Sequence, residues 1–233
     1  RGELLGEGRK VFEIPHLNAG LSVAGSYSVN NISMNDWIDN FILDDLNRGN
    51  DSLENFSRRL NNRLESDMNV REKRNGLLIH IAGYQESGGL FHPEFWFVRN
   101  VHGIDDRTGE YININNTFDV TEDFWTRDCP QKNLLEGFNR GFYQMYGNGF
   151  ASGRIGFFML QNNLNRFFAN IWNNNNWSFC PPQSLNHMEK LIKLYIQIIG
   201  ILFEISNYPG TLIGGKVQTL AIPQPNHFVK QCT

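Results

Sequence analysis

Lys10-Val-Phe-Glu-Ile14, Pro15-His-Leu-Asn18 and Ala19-Gly-Leu-Ser-Val-Ala-Gly25 form the stretch on which the fold turns. In the first segment Val11 and Glu13 point one way, and Phe12 and Ile14 the other, which is the two-residue period of a strand. The second has turn chemistry, and the third is a short apolar run closed by glycine. Together they predict a β-hairpin. An isolated hairpin is only marginally stable, so further strands must pair with it.

Helical spacing follows. Behind the capping residue Ser33, Met34, Trp37, Ile38, Phe41, Ile42 and Leu46 recur on one face, predicting a helix over 34–47. Asp51/Ser52 opens a second helix over 52–67, with Leu53, Phe56, Leu60 and Leu64 on its apolar side. Strand patterns then return at 77–84, 94–101 and 111–114, separated by turns, as in an antiparallel meander. Further helices are predicted over 154–172 and 185–206, and a last strand over Lys216–Ile222, stopped by Pro223. Helices come in pairs and strands in antiparallel groups. This order predicts an α+β fold, a four-layer αββα sandwich of two antiparallel sheets flanked by helices, in a single domain over 1–233.

Composition removes several function classes. The chain has 233 residues, a net charge of −3 and no basic stripe, so nucleic acid is not expected as a partner. The longest apolar segment, 191–205, is interrupted by Lys193, Gln197 and Glu204 and is too short to span a bilayer, so no membrane partner is expected. Cys129, Cys180 and Cys232 show no metal-ligand spacing, and this sparse set predicts a reducing, cytoplasmic location with no metal and no cofactor. Asparagine is about one residue in eight. Such a bias makes the sequons at Asn55 and Asn115 weak signals of glycosylation.

The order of elements and four local motifs resemble the proteasome-type N-terminal nucleophile hydrolase family, in a divergent bacterial form. The motifs are Lys10-Val-Phe-Glu-Ile14 with the strand ending Ala24-Gly25, the two helices after it, the strand ending Ala82-Gly83-Tyr84, and Ile213-Gly-Gly-Lys-Val-Gln-Thr-Leu-Ala-Ile222. The resemblance implies an amidohydrolase or threonine-type peptidase whose first mature residue is the nucleophile and whose own α-amine is the base. It implies that Lys10 is the catalytic lysine beside that nucleophile. It also matches Arg1-Gly2 to the family's Asp-x-Arg segment, which sets the nucleophile upstream of residue 1. Three positions where active members carry supporting polar groups read Asn148, Gly210 and Ile213. That departure makes a non-catalytic structural subunit of the same fold the alternative. The implied partner is a peptide or amide substrate. Independently of the resemblance, the helices after Gly153 and Ser184 carry more apolar side chains than one sheet face would cover, which predicts a homo-oligomer joined through them.

Other groups have plainer readings. His80 lies in an apolar run, where a hydrogen-bonded core histidine is the usual occupant. His92-Pro-Glu94 lacks the third and fourth ligands that zinc needs. Gly147, Gly149 and Gly153 lack the lysine of a phosphate loop. The acidic pairs Asp44/Asp45, Asp105/Asp106 and Glu122/Asp123 are acid–base candidates by residue type alone.

Overall fold

The computed structural model describes residues 8–46, 51–87, 89–104, 111–122, 163, 166, 170, 184–205, 216–223 and 225. Packing groups the chain into two units. One comprises Arg9–Gly103, Tyr111–Phe142 and Ile222–Thr233, and the other Arg1–Gly8, Ile104–Glu110 and Tyr143–Ala221.

In the first unit the expected hairpin is present. Strand β1 (Val11–Ile14) and strand β2 (Ala19–Gly25) are antiparallel and joined by a 3-10 turn, Pro15–Leu17. Pro15 presets the turn, and Asn18, left-handed at φ 46°, closes it. A second, smaller hairpin follows: β3 (Ser28–Val29) and β4 (Ile32–Ser33). Asn30 and Asn31 link them with φ of 49° and 64°, the geometry of a two-residue turn that asparagine tolerates.

Helix α1 (Met34–Leu46) begins at Ser33, whose hydroxyl accepts from the Asp36 N–H at 3.1 Å. Helix α2 (Leu53–Asp67) begins in the same way at Ser52, with Asn55 N–H as the donor. A one-turn helix, α3 (Val70–Lys73), is closed by a reciprocal box between Asn69 and Glu72. Then come β5 (Leu77–Ser87), β6 (Leu90–Ile104) and β7 (Tyr111–Glu122). The result is a five-stranded antiparallel sheet in the order β1-β2-β5-β6-β7. The α+β class expected from the sequence is therefore present.

The register decides which side chains share a face. Phe12, Leu21, Ile81 and Trp96 form one cross-strand row, and Val23, Ile79 and Val98 another. These residues are buried with Trp37, Ile38, Phe56, Leu60 and Leu64 of α1 and α2 in one core. Gly83 allows the close approach: a Cβ there would lie 2.6 Å from Ala19 Cβ and 3.0 Å from Leu53 Cδ1. The opposite face carries Ser22, His80 and Phe97 in one row, and Gly20, Ala82 and Phe95 in the next.

Buried Asn100 ties three segments together. Its Oδ1 accepts from Leu77 N–H at 2.8 Å, and its Nδ2 donates to the carbonyls of Lys73 at 2.8 Å and Asn115 at 2.9 Å. The Leu77 N–H finds its acceptor there, while the Lys73 carbonyl also accepts from the Gly76 N–H at 3.1 Å.

In the second unit, α4 (Leu185–Glu204) covers most of the helix expected over 185–206. Ser184 caps it through the His187 N–H. The segment 216–223 corrects an expectation. It alternates like a strand, yet it is neither strand nor helix. An alternating pattern defines two faces, but a strand forms only where a neighbour supplies ladder bonds, and among the described residues no strand pairing includes this segment. Its polar side chains bond elsewhere: Gln218 to the Gly8 carbonyl at 3.0 Å, and Thr219 to Glu189. The helix expected over 154–172 lies outside the described residues except Asn163, Arg166 and Asn170, which are helical. Among the described residues no helix is long and apolar enough to cross a membrane.

Candidate functional site

Lys10, the lysine singled out in the sequence, sits just before β1. Its carbonyl accepts from Val23 N–H at 2.9 Å, so the hairpin ladder fixes its backbone. Its position alternates with those of Phe12 and Ile14, the side of the strand that faces the core. The side chain is half-buried, and its Nζ lies 4.6 Å from the centre of the Tyr27 ring. Burial pushes the Lys10 ammonium below the ordinary lysine range.

Tyr111 packs against the bend at Gly76, where a Cβ would meet its ring carbon Cδ2 at 2.7 Å. Burial, then the neighbouring Tyr27, pushes the Tyr111 hydroxyl up. Just upstream of Lys10, Arg9 pairs with Asp39 of α1 and lies 4.2 Å over the Phe12 ring. A lysine with a lowered proton affinity, resting on a tyrosine ring, is chemically able to serve as a fixed charge or as an amine nucleophile.

A second constellation was not foreseen as a unit. Asp45, at the last turn of α1, is buried and acts as a hub. Arg59 of α2 donates from Nε at 2.6 Å and from a terminal nitrogen at 3.1 Å. His16, in the β1–β2 turn, donates from Nε2 at 3.0 Å. Arg59 also pairs with Asp51 at the start of α2. The Asp51 carboxyl is held below its usual range by the Asn55 amide first, then by the Ser52 N–H and Arg59, against a smaller opposing effect of burial.

An Asp–His pair is a familiar way to orient a base. Here, however, the remaining ring nitrogen, Nδ1, is buried and has no hydrogen-bond partner, and the ring lies 6.2 Å from that of Phe56. The arrangement binds the hairpin turn to both helices and gives the imidazole no open side for a substrate.

The other sequence candidates separate. His80 is half-buried and stacked against Phe97 at 4.6 Å and Phe95 at 6.0 Å, a packing role. Asp44 is exposed while Asp45 is buried, so the pair does not act together. Among the described residues no three His, Cys, Asp or Glu side chains converge on a metal position. Among the described residues, Glu94 is a carboxyl with a raised proton affinity. Burial pushes it up, the Trp96 indole N–H at 2.6 Å opposes this, and Glu122 and Glu54 add to the rise. Asp105, Asp106, Asp123, Gly147, Asn148, Gly149, Gly153, Gly210 and Ile213 lie outside the described residues.

No protein-family model, no curated protein and no solved structure matches this chain.

Proposed function

We propose that the chain is a proteasome-subunit-like amidohydrolase of the N-terminal nucleophile type, cleaving amide bonds of peptides or small amides, with Lys10 as the fixed cation beside the reacting atoms. The observation that carries this reading is Lys10 itself. Its backbone is locked at the head of the first strand, and its ammonium is partly stripped of water. A positive charge in such a place favours the ionised form of a neighbouring nucleophile far more than it would in bulk water. Two features of the fold support the reading. A helix pair covers one face of an antiparallel sheet, and the other face bears Phe95, Phe97, Leu78 and Ala82, apolar enough to receive a second sheet. The proposal places the chain in the cytoplasm as a self-associating subunit.

The second reading is a structural subunit of the same fold without catalysis. It is favoured by Lys10 sharing the core-facing side of β1 and resting on Tyr27, an arrangement that holds a lysine without needing a substrate.

A panel of fluorogenic peptide amides tests both readings on the full-length protein. Hydrolysis that disappears in Lys10→Ala, with an unchanged circular dichroism spectrum, is the expected result. Hydrolysis that persists unchanged in Lys10→Ala removes Lys10 from the chemistry. No hydrolysis by either protein favours the structural subunit.

A further inference from the structure

Asn75-Gly76 is the only Asn-Gly pair among the described residues, and it forms the turn between α3 and β5. In such a pair the backbone nitrogen of the glycine can attack the side-chain Cγ of the asparagine. The bond from Cγ to the side-chain nitrogen breaks, ammonia leaves, and a cyclic imide remains. Water then opens the imide at either carbonyl. One opening gives aspartate, and the other gives an isoaspartyl linkage with an extra backbone atom. Glycine permits the ring most readily, because it has no Cβ to crowd it.

The two residues are held differently. Asn75 is exposed, so its amide is open to water. Gly76 is buried, and its N–H donates to the Lys73 carbonyl at 3.1 Å. That bond is the last of a run. Lys73 N–H bonds the Asn69 carbonyl at 3.0 Å, Arg74 N–H that of Val70 at 3.3 Å, and Asn75 N–H that of Glu72 at 3.0 Å. Asn69 starts the run, accepting through its side chain from the N–H groups of Arg71 and Glu72. A backbone nitrogen engaged in this way keeps its proton and its place.

We propose that Asn75 is a deamidation site gated by α3: the closed turn withholds the Gly76 nitrogen, and opening of this single helical turn releases it to react. A helix of four residues has too few internal bonds to be stable by itself. It should therefore open at a lower free energy than the sheet behind it.

Refolding does not undo the change. At Gly76, φ is +74°, and a Cβ would lie 2.7 Å from both Tyr111 Cδ2 and Val101 Cγ2. The Gly76 carbonyl accepts from Ser26 N–H at 2.8 Å, and the next N–H, that of Leu77, bonds Asn100 at 2.8 Å. An isoaspartyl linkage lengthens the chain where it has no room to move. Either Gly76 is driven against Tyr111 and Val101, or Leu77 is drawn away from Asn100. The modified chain thus keeps the turn open. This inference stands whether or not the protein hydrolyses amides.

Incubation of the full-length protein at mildly alkaline pH tests it, with peptide mapping that resolves aspartyl from isoaspartyl products. Mapping also separates this pair from Asn148-Gly149. In concentrated urea, position 75 should convert at least about tenfold faster than in the folded protein. Asn69→Ala removes the cap of α3 and should speed conversion at position 75 about fivefold, with the circular dichroism spectrum unchanged. Asn69→Ser keeps an acceptor there and should convert at nearly the wild-type rate. The isoaspartyl form, isolated by chromatography, should melt below Asn75→Asp, which has the same charge without the extra atom. Equal rates in the folded and unfolded chain, a rate unmoved by Asn69→Ala, no conversion in urea, or an isoaspartyl form as stable as Asn75→Asp would each overturn the proposal.

Discussion

His16 and Asp45 lie 29 residues apart in the chain and 3.0 Å apart in space, through Nε2 and Oδ2. This bond anchors the first turn of the sheet to the end of α1. The carboxylate needs it. At a helix C-terminus the macrodipole disfavours negative charge, and Asp45 is in addition almost wholly removed from water. Three N–H groups from His16 and Arg59 offset both costs.

Removing Asp45 leaves Arg59 partly buried with only Asp51 to answer its charge. Asp45→Ala is expected to destabilise the protein by about 3–5 kcal/mol, as is usual when one member of a buried pair is lost. Replacing Asp45 and Arg59 together by leucine should cost clearly less than the sum of the single changes. Urea unfolding of the two single variants and the double variant measures the difference, and strict additivity would contradict the coupling.

Asn100→Leu strands the Leu77 N–H in the interior and removes one donor each from the carbonyls of Lys73 and Asn115. A loss of about 1–3 kcal/mol is expected, mostly from the unsatisfied Leu77 N–H. Asn100→Asp should also destabilise, because a carboxylate accepts from Leu77 but cannot donate to two carbonyls. Thermal denaturation of both variants is the check.

Glu72 governs part of the acid response. Burial raises its proton affinity, but hydrogen bonds from the backbone N–H groups of Asn30, Asn69 and Asn31 and from the Ser28 hydroxyl together outweigh that, leaving it below the usual range. A depressed carboxyl contributes stability that is present above its unfolded pKa and lost as the pH falls through its folded one. Glu72→Gln should therefore lower stability at neutral pH and leave it nearly unchanged in strong acid. Unfolding free energies measured across the acid limb should converge for the two proteins. Parallel curves would rule the role out.

Glu94 works with the opposite sign. Its carboxyl binds a proton more tightly folded than unfolded, chiefly because it is buried, so stability falls as the pH rises through that interval. Glu94→Gln keeps an oxygen for the Trp96 indole and removes the charge facing Glu122 and Glu54. It should raise the melting temperature at neutral pH and have little effect in acid. A lower melting temperature at neutral pH would show that the carboxylate is compensated by a group not considered above.

Periodicity and caps made much of the sheet unit legible. Ser33 and Ser52 start the helices they were expected to start, and Lys10–Gly25 is the hairpin its alternation implied. Lengths were less legible. Strand β6 runs through Pro93, which reads as a boundary, and β7 continues past Ile114 into Asn115-Asn-Thr117, which reads as loop. The β3–β4 hairpin escaped notice because Asn30-Asn31 lacks the glycine that usually marks such a turn. The His16–Asp45–Arg59 hub was hidden for a different reason: its members lie on three elements, and no local pattern joins them. One signal was available. Asp45 continues the stripe of Trp37, Ile38, Phe41 and Ile42, an inward position where a carboxylate must have a partner.

The meeting of Gly25 and Gly76 has a consequence for how the chain tolerates change. Ser26 N–H bonds the Gly76 carbonyl at 2.8 Å, and Gly25 pairs with Leu77, so the helical excursion between β2 and β5 leaves and returns at one point. Zipping these two strands therefore closes the excursion as a ring. Once that ring is shut, adding residues to its connections carries only the logarithmic penalty of a longer loop, about 0.6 kcal/mol for each doubling. Insertions between α1 and α2 should thus be absorbed with little loss. A side chain of any size at Gly25, by contrast, would collide with the Gly76 carbonyl and prise the ring open at its clasp.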